Sequence, residues 1–153
     1  MHQTGEAEHQ AVVERYESLG IDADIRPYID DMASAYANAD LAITRAGASS
    51  VAELAASGTP SILVPFPYAA DDHQAANAQA LEASGGARMI RQSDWDDAEV
   101  QQWVRSLIDS KELLSQMASA ALGAAKPQAA KSVVDGCVDL MAQSGTRLLS
   151  WVG

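Results

Sequence analysis

Three short constellations in this 153-residue chain carry residue types from which chemistry can be built. The first is Arg45-Ala46-Gly47-Ala48-Ser49-Ser50, followed by Val51, Ala52 and Glu53. A strand that ends in a glycine turn and opens a helix presents unpaired backbone N–H groups at the positive end of the helix dipole, which makes an anion site. Gly47 lets main chain approach a phosphate closely. Glu53, one turn in, can accept from vicinal hydroxyls such as those of a ribose. The same residues admit a plainer role. Ser49 or Ser50 can cap the helix, Ser50 and Glu53 have capping-box spacing, and Gly47 can serve as a simple turn. Capping and ligand binding can coexist.

The second constellation is Pro65-Phe66-Pro67-Tyr68, then Asp71-Asp72-His73-Gln74 and Asn77. Gln74 and Asn77 stand three apart and share a helix face. Neutral amides suit sugar hydroxyls, because they donate and accept without a buried charge. The alternative makes Asp71 or Asp72 the cap and leaves the amides solvated. The third is Tyr28-Ile29-Asp30-Asp31. An aromatic at a strand end can stack on a base, and the turn after it can hydrogen-bond the base edge. The alternative is a core tyrosine followed by an aspartate N-cap.

Other groups offer less. Asp71, Asp72 and His73 are consecutive at a helix start, rarely converge on one point, and have no second cluster, so no metal site is expected. No Ser/His/Asp set or Cys/His pair is evident. Asp94, Asp96, Asp97 and Glu99 read as a solvated helix start. Trp95 and Trp103 read as packing residues, and His2 and His9 as lying near a frayed end.

The elements that must position these groups alternate. The spacing predicts helices at 6–19, 31–38, 49–56 and about 72–83, with Gly20 and Gly58 closing the first and third. Strands are expected at 21–29, 41–44, 61–66 and 87–90. Beyond residue 92 the pattern is helical, over roughly 96–109, 110–121 and 128–143. Such alternation implies an α/β fold, a Rossmann-like parallel sheet flanked by helices. Ligands of these sheets sit at the carboxyl ends of strands, here residues 28–31, 45–50 and 65–74.

Composition narrows the partners. Twenty-one acidic residues against ten basic ones leave a net charge of −11. That argues against nucleic acid or an anionic membrane surface, both of which need clustered positive charge. A phosphate-bearing ligand must then be held mainly by backbone N–H groups. The length suits one domain. The single cysteine, Cys137, allows no internal disulfide, which fits a reducing cytoplasm. No secretory signal or membrane-spanning apolar run is visible.

Taken together, HQTG at 2–5, YIDDMASAYANAD at 28–40, RAGASSVAELAASGTPSILVPFPYAADDHQAANA at 45–78 and EASGGARMI at 82–90 resemble the C-terminal half of glycosyltransferase family 28. Its members are two-domain GT-B enzymes. The resemblance implies the donor half of an inverting transferase that moves N-acetylglucosamine (GlcNAc) from UDP-GlcNAc to an undecaprenyl-linked muramyl-pentapeptide, converting lipid I to lipid II in peptidoglycan synthesis. It needs no cofactor and works on the cytoplasmic face of the inner membrane. By the same resemblance Ile29 holds the uracil through its backbone, with Tyr28 beside the base. Ala48, Ser49, Ser50, Val51 and Ala52 form the helix start beneath the diphosphate, after Gly47. Glu53 binds the ribose, His73 and Gln74 contact GlcNAc hydroxyls, and Asn77 supports that loop. Some members carry a second glutamine where His73 stands.

The family's acceptor-binding N-terminal domain and a Gly-Gly-Ser loop have no counterpart here, so the chain reads as a fragment. Residues 1–143 are expected to form the donor domain, truncated at its start, and 144–153 a loosely ordered tail. The strand at 23–29 is expected to lack its neighbour, while 41–44, 61–66 and 87–91 form a small parallel sheet. Exposed sheet edges would favour self-association. Two other readings are a different UDP-sugar transferase domain working with a membrane partner subunit, and a non-catalytic nucleotide-sugar-binding module.

Overall fold

The computed structural model describes residues 1–144. Its core is built around one short strand, β4 (Ser61–Leu63), every residue of which is buried. β4 lies between β3 (Ala42–Thr44) and β5 (Ala87–Met89), all parallel, so both of its faces are covered and both neighbours are strands. That is why Ile62 and Leu63, which point to opposite faces, are both fully buried. The expected three-stranded sheet is thus present.

Two helices run between these strands, α3 (Ala48–Ser57) from β3 to β4 and α4 (His73–Ala83) from β4 to β5. Leu54 and Ala55 of α3 and Ala78 and Leu81 of α4 join Leu63, Tyr36 and Ala121 in one apolar cluster. Gly58, at φ +68°, ends α3, its N–H donating to Ala55 and that of Thr59 to Leu54. Tyr36 belongs to the short α2 (Met32–Ala37), which Asp31 caps by accepting from the N–H of Ser34. After β5 come α5 (Asp97–Ile108), α6 (Lys111–Ala124) and α7 (Ala129–Ser144). α6 packs on α3 and passes over Gly86, where an added Cβ would stand 2.7 Å from the Cα of Ala121. Only glycine permits that approach. α7 buries nothing between residues 126 and 140.

The chain start departs from expectation. The extended segment at 21–29 narrows to β2 (Ile25–Arg26), and it does have a neighbour. β1 (His2–Gln3) pairs parallel with it, in the register His2 to Ile25 and Gln3 to Arg26. The N–H groups of His2, Thr4 and Gly5 reach the carbonyls of Asp24, Arg26 and Pro27, so the chain start becomes a strand. The crossover is α1 (His9–Ser18), closed by Gly20 at φ +63°. Nor are the two histidines frayed. His2 Nδ1 lies 3.2 Å from Tyr16 Oη, and His9 Nδ1 lies 3.3 Å from Thr4 Oγ1. Among the described residues no helix is long and apolar enough to cross a membrane. The expected tail lies, but for residue 144, outside the described residues.

Candidate functional site

The start of α3 is open. Gly47 is the N-cap residue, in an extended conformation at φ −61° and ψ 149°, and makes no side-chain cap. The helical ladder begins with the N–H of Val51 donating to the Gly47 carbonyl. Ala48, Ser49 and Ser50 therefore occupy the first turn, and among the described residues no side chain caps their N–H groups. The capping-box expectation fails for a geometric reason. A box needs its serine at the N-cap, whereas the N-cap of this helix lies three residues before Ser50, at Gly47, which has no side chain to offer. Ala48, Ser49, Ala52 and Glu53 are exposed, and Ser50 and Val51 half-buried.

A residue that the motif reading passed over supports this turn. Tyr36 is buried, and burial pushes its phenol above the ordinary range. The Glu53 carboxylate pushes the same way, while hydrogen bonding to Ser50 and Thr44 opposes it. Its main chain is anchored by Thr59, whose hydroxyl donates to the Tyr36 carbonyl at 2.9 Å. The only signal in the sequence was its place on the inward face of a helix beginning at Met32.

The segment after β4 carries the second constellation. Its amides are not solvated. Gln74 Oε1 accepts from the Phe66 N–H at 2.9 Å, and Asn77 Nδ2 donates to the Ala46 carbonyl at 3.1 Å. Asn77 thereby ties α4 to the turn that opens α3. Gln74 keeps its NH2 group, which has no partner among the described residues. Neither aspartate caps α4. Asp71 and Asp72 are both left-handed, at φ 50° and 53°, and the Asp72 carboxylate faces Arg91, which holds its pKa below the ordinary range. His73 is exposed. Among the described residues no three His, Cys, Asp or Glu side chains gather as metal ligands.

At the end of β2, Tyr28 is 66% exposed, so it is not a core tyrosine. Ile29 is buried, and its N–H is already taken by Gln3 Oε1 at 2.9 Å. Arg45, the one cation of the α3 turn, points elsewhere. Its guanidinium donates to the Val64 and Pro65 carbonyls and to Gln92 Oε1, and lies 5.6 Å from the centre of the Phe66 ring. An anion at α3 would therefore meet backbone donors and dipole rather than a cation.

The three constellations thus follow the carboxyl ends of β2, β3 and β4. A parallel sheet with an open helix start at a strand end is the frame of the nucleotide-binding α/β domains. Residues 1–133 match the model of the glycosyltransferase family 28 C-terminal domain, and the chain belongs to that family. A relative from Methylococcus capsulatus is 47% identical over 138 residues, which is 90% of this chain and 39% of that protein. One from Myxococcus xanthus is 46% identical over 144 residues, 94% of this chain and 38% of the relative. Both are named UDP-N-acetylglucosamine–N-acetylmuramyl-(pentapeptide) pyrophosphoryl-undecaprenol N-acetylglucosamine transferase. The crystal structure of Acinetobacter baumannii MurG superposes with a TM-score of 0.79 at 39% identity, over 88% of this chain and 41% of that one. The chain spans about two fifths of the length of these relatives.

Proposed function

We propose that residues 1–143 are the donor-binding part of an N-acetylglucosaminyltransferase and take UDP-GlcNAc. The observation that carries this reading is the uncapped start of α3 behind Gly47, where Ala48, Ser49 and Ser50 turn their N–H groups outward and no cation competes. The diphosphate sits there. Glu53 accepts from the ribose hydroxyls, Ile29 offers its carbonyl to the uracil and Tyr28 flanks the ring. His73 and the NH2 of Gln74 meet the sugar. Asn77 holds the two loops together.

The reaction this serves is attack of an acceptor hydroxyl on the anomeric carbon with departure of UDP. The open helix start stabilises the charge that grows on the leaving diphosphate, so no protein nucleophile is required. The acceptor is the undecaprenyl-linked muramyl-pentapeptide named for the relatives, so the product would be lipid II, made at the cytoplasmic face of the inner membrane. Acceptor binding and the general base would come from outside these residues. The free edge of β3 is a route to self-association. Ile43 is 55% exposed there, and only Ala42 and Thr44 turn their backbone groups to β4.

Calorimetric titration with UDP, UDP-GlcNAc and UDP-glucose tests the reading. Glu53→Ala should weaken UDP by about 5- to 30-fold, a loss of about 1–2 kcal/mol for a charged hydrogen-bond acceptor. Unchanged affinity in a folded variant removes the ribose assignment. No binding of any of the three ligands removes the proposal.

A further inference from the structure

We propose that Arg91 is a positioning residue for the sugar end of the site. From the end of β5 it locks Asp72, and through Asp72 it sets the loop that presents His73 and Gln74. For its sugar readout this inference rests on the donor-binding reading above.

Four observations carry it. Asp71 and Asp72 are consecutive residues with a Cβ in the left-handed region, at φ 50° and 53°. That conformation persists only where the surroundings over-determine it. Next, Arg91 meets both oxygens of the Asp72 carboxylate, Nη2 to Oδ2 at 2.7 Å and Nη1 to Oδ1 at 3.3 Å. Such a fork fixes orientation as well as distance. It spans 19 residues of sequence, from a strand end to the residue before His73. Third, the loop's two aromatic side chains do not anchor it in the core. Phe66 and Tyr68 touch edge-to-face at 5.6 Å, yet they are 42% and 85% exposed.

Finally, the other end of the loop is held in the matching way. Arg45, from the end of β3, takes the Val64 and Pro65 carbonyls and reaches Gln92, the residue next to Arg91. The loop leaving the central strand is thus pinned by one guanidinium from each flanking strand. The Phe66 N–H bond to Gln74 closes it between the two pins. The Arg91 pair is itself exposed, with 43% and 54% of its side chains accessible. Exposed pairs add little to global stability. Its effect is expected in the order of one loop.

The test uses the full 153-residue chain. Arg91→Gln and Asp72→Asn are compared singly and together; asparagine tolerates the left-handed conformation, so backbone strain is not the variable. Amide exchange at residues 66–74 should quicken by about tenfold in either single variant, with the melting temperature unchanged. The double variant should be no faster than the singles, as for two ends of one contact. Arg91→Lys should restore part of the protection. Unchanged exchange in both singles, or effects that simply add, overturns the proposal.

In the ligand arm, the preference for UDP-GlcNAc over UDP should fall about three- to tenfold while UDP affinity stays constant. An equal loss for both ligands also overturns it. If the parent chain binds UDP and UDP-GlcNAc alike, the sugar assignment under Proposed function fails, and the exchange result alone decides whether Arg91 orders the loop.

Discussion

Among the described residues, parallel strand pairs with a helical crossover occur in two places, once in residues 1–29 and as two units sharing the central strand around β4. The two differ in what holds them. Around β4 the strand is sandwiched, and Leu54, Leu63, Leu81 and Ala121 close a shared core. In the first unit α1 has no buried residue, and two strands of two residues each are joined mainly by backbone and polar bonds. A two-stranded sheet with no buried face has little stability of its own. The proposed site spans both units. Its phosphate and sugar contacts stand on the packed unit and its base contacts, Tyr28 and Ile29, on the thin one. Firmness at the leaving group and softness at the base is the division this implies.

The largest break in that contrast is Leu63→Ala. It opens a cavity at the centre of the packed unit and should cost about 2–5 kcal/mol, read as a lower global denaturation midpoint. Val12→Ala in α1, half-buried in the thin unit, should cost well under that and leave the global midpoint near the parent's. Equal losses would mean that the two units fold as one core. Gly86→Ala comes next, at about 1–3 kcal/mol, since the added methyl meets the backbone of Ala121 rather than a flexible side-chain tip.

Gln3→Ala should cost about 1 kcal/mol by orphaning the Ile29 N–H. Its mark is locality. Exchange at Ile25 and Arg26 should rise while amides of β4 keep their protection, and UDP affinity should fall more than phosphate-end contacts alone allow. Ser61→Ala has the opposite sign. The Ser61 hydroxyl is buried with no partner among the described residues, so its removal should stabilise the packed unit slightly, by at most about 1 kcal/mol.

The same contrast explains what could be read in the sequence. Around β4 the apolar run Ile62-Leu63-Val64 and the glycines at 47 and 58 place strand, turn and helix within three residues of their positions, the strand ending three residues earlier than its apolar run, because burial on both faces leaves one register open. In the thin unit nothing apolar marks His2-Gln3 as a strand, so that pairing was missed. It depends on backbone bonds and one glutamine side chain, which no residue pattern announces. The candidate site divides similarly. The three segments that hold its candidate residues could be picked out in the sequence as strand ends, one of them by its strand–glycine–helix spacing, while the roles proposed for them came from the resemblance. Which polar groups were already spent was not legible. Gln74 on Phe66, Asn77 on Ala46, Ile29 on Gln3 and Asp72 on Arg91 all pair across at least eight positions of sequence. Periodicity carries no information at that range.

The smallest effect separates the units most finely, because each holds one Asp–Arg pair of the same chemistry. Asp24 and Asp72 both have carboxyls held below the ordinary range, first by hydrogen bonding to Arg26 and Arg91 respectively. A lowered folded pKa means the contribution is whole above the unfolded value and disappears as pH falls through the folded one, so both pairs hold at neutrality and are lost only as the pH falls below the ordinary carboxylate range. Their losses should not look alike. Asp24 and Arg26 are two residues apart, so the unfolded chain keeps much of their attraction. Asp72 and Arg91 meet only when the loop is docked on the end of β5. Lowering the pH should therefore reduce the amide protection factors, corrected for the intrinsic rate at each pH, at residues 66–74 and leave those of residues 24–26 unchanged relative to the rest of the thin unit. Asp72→Asn should abolish the first change. A step of equal size at both pairs, or one that survives Asp72→Asn, would place the acid-sensitive tie elsewhere.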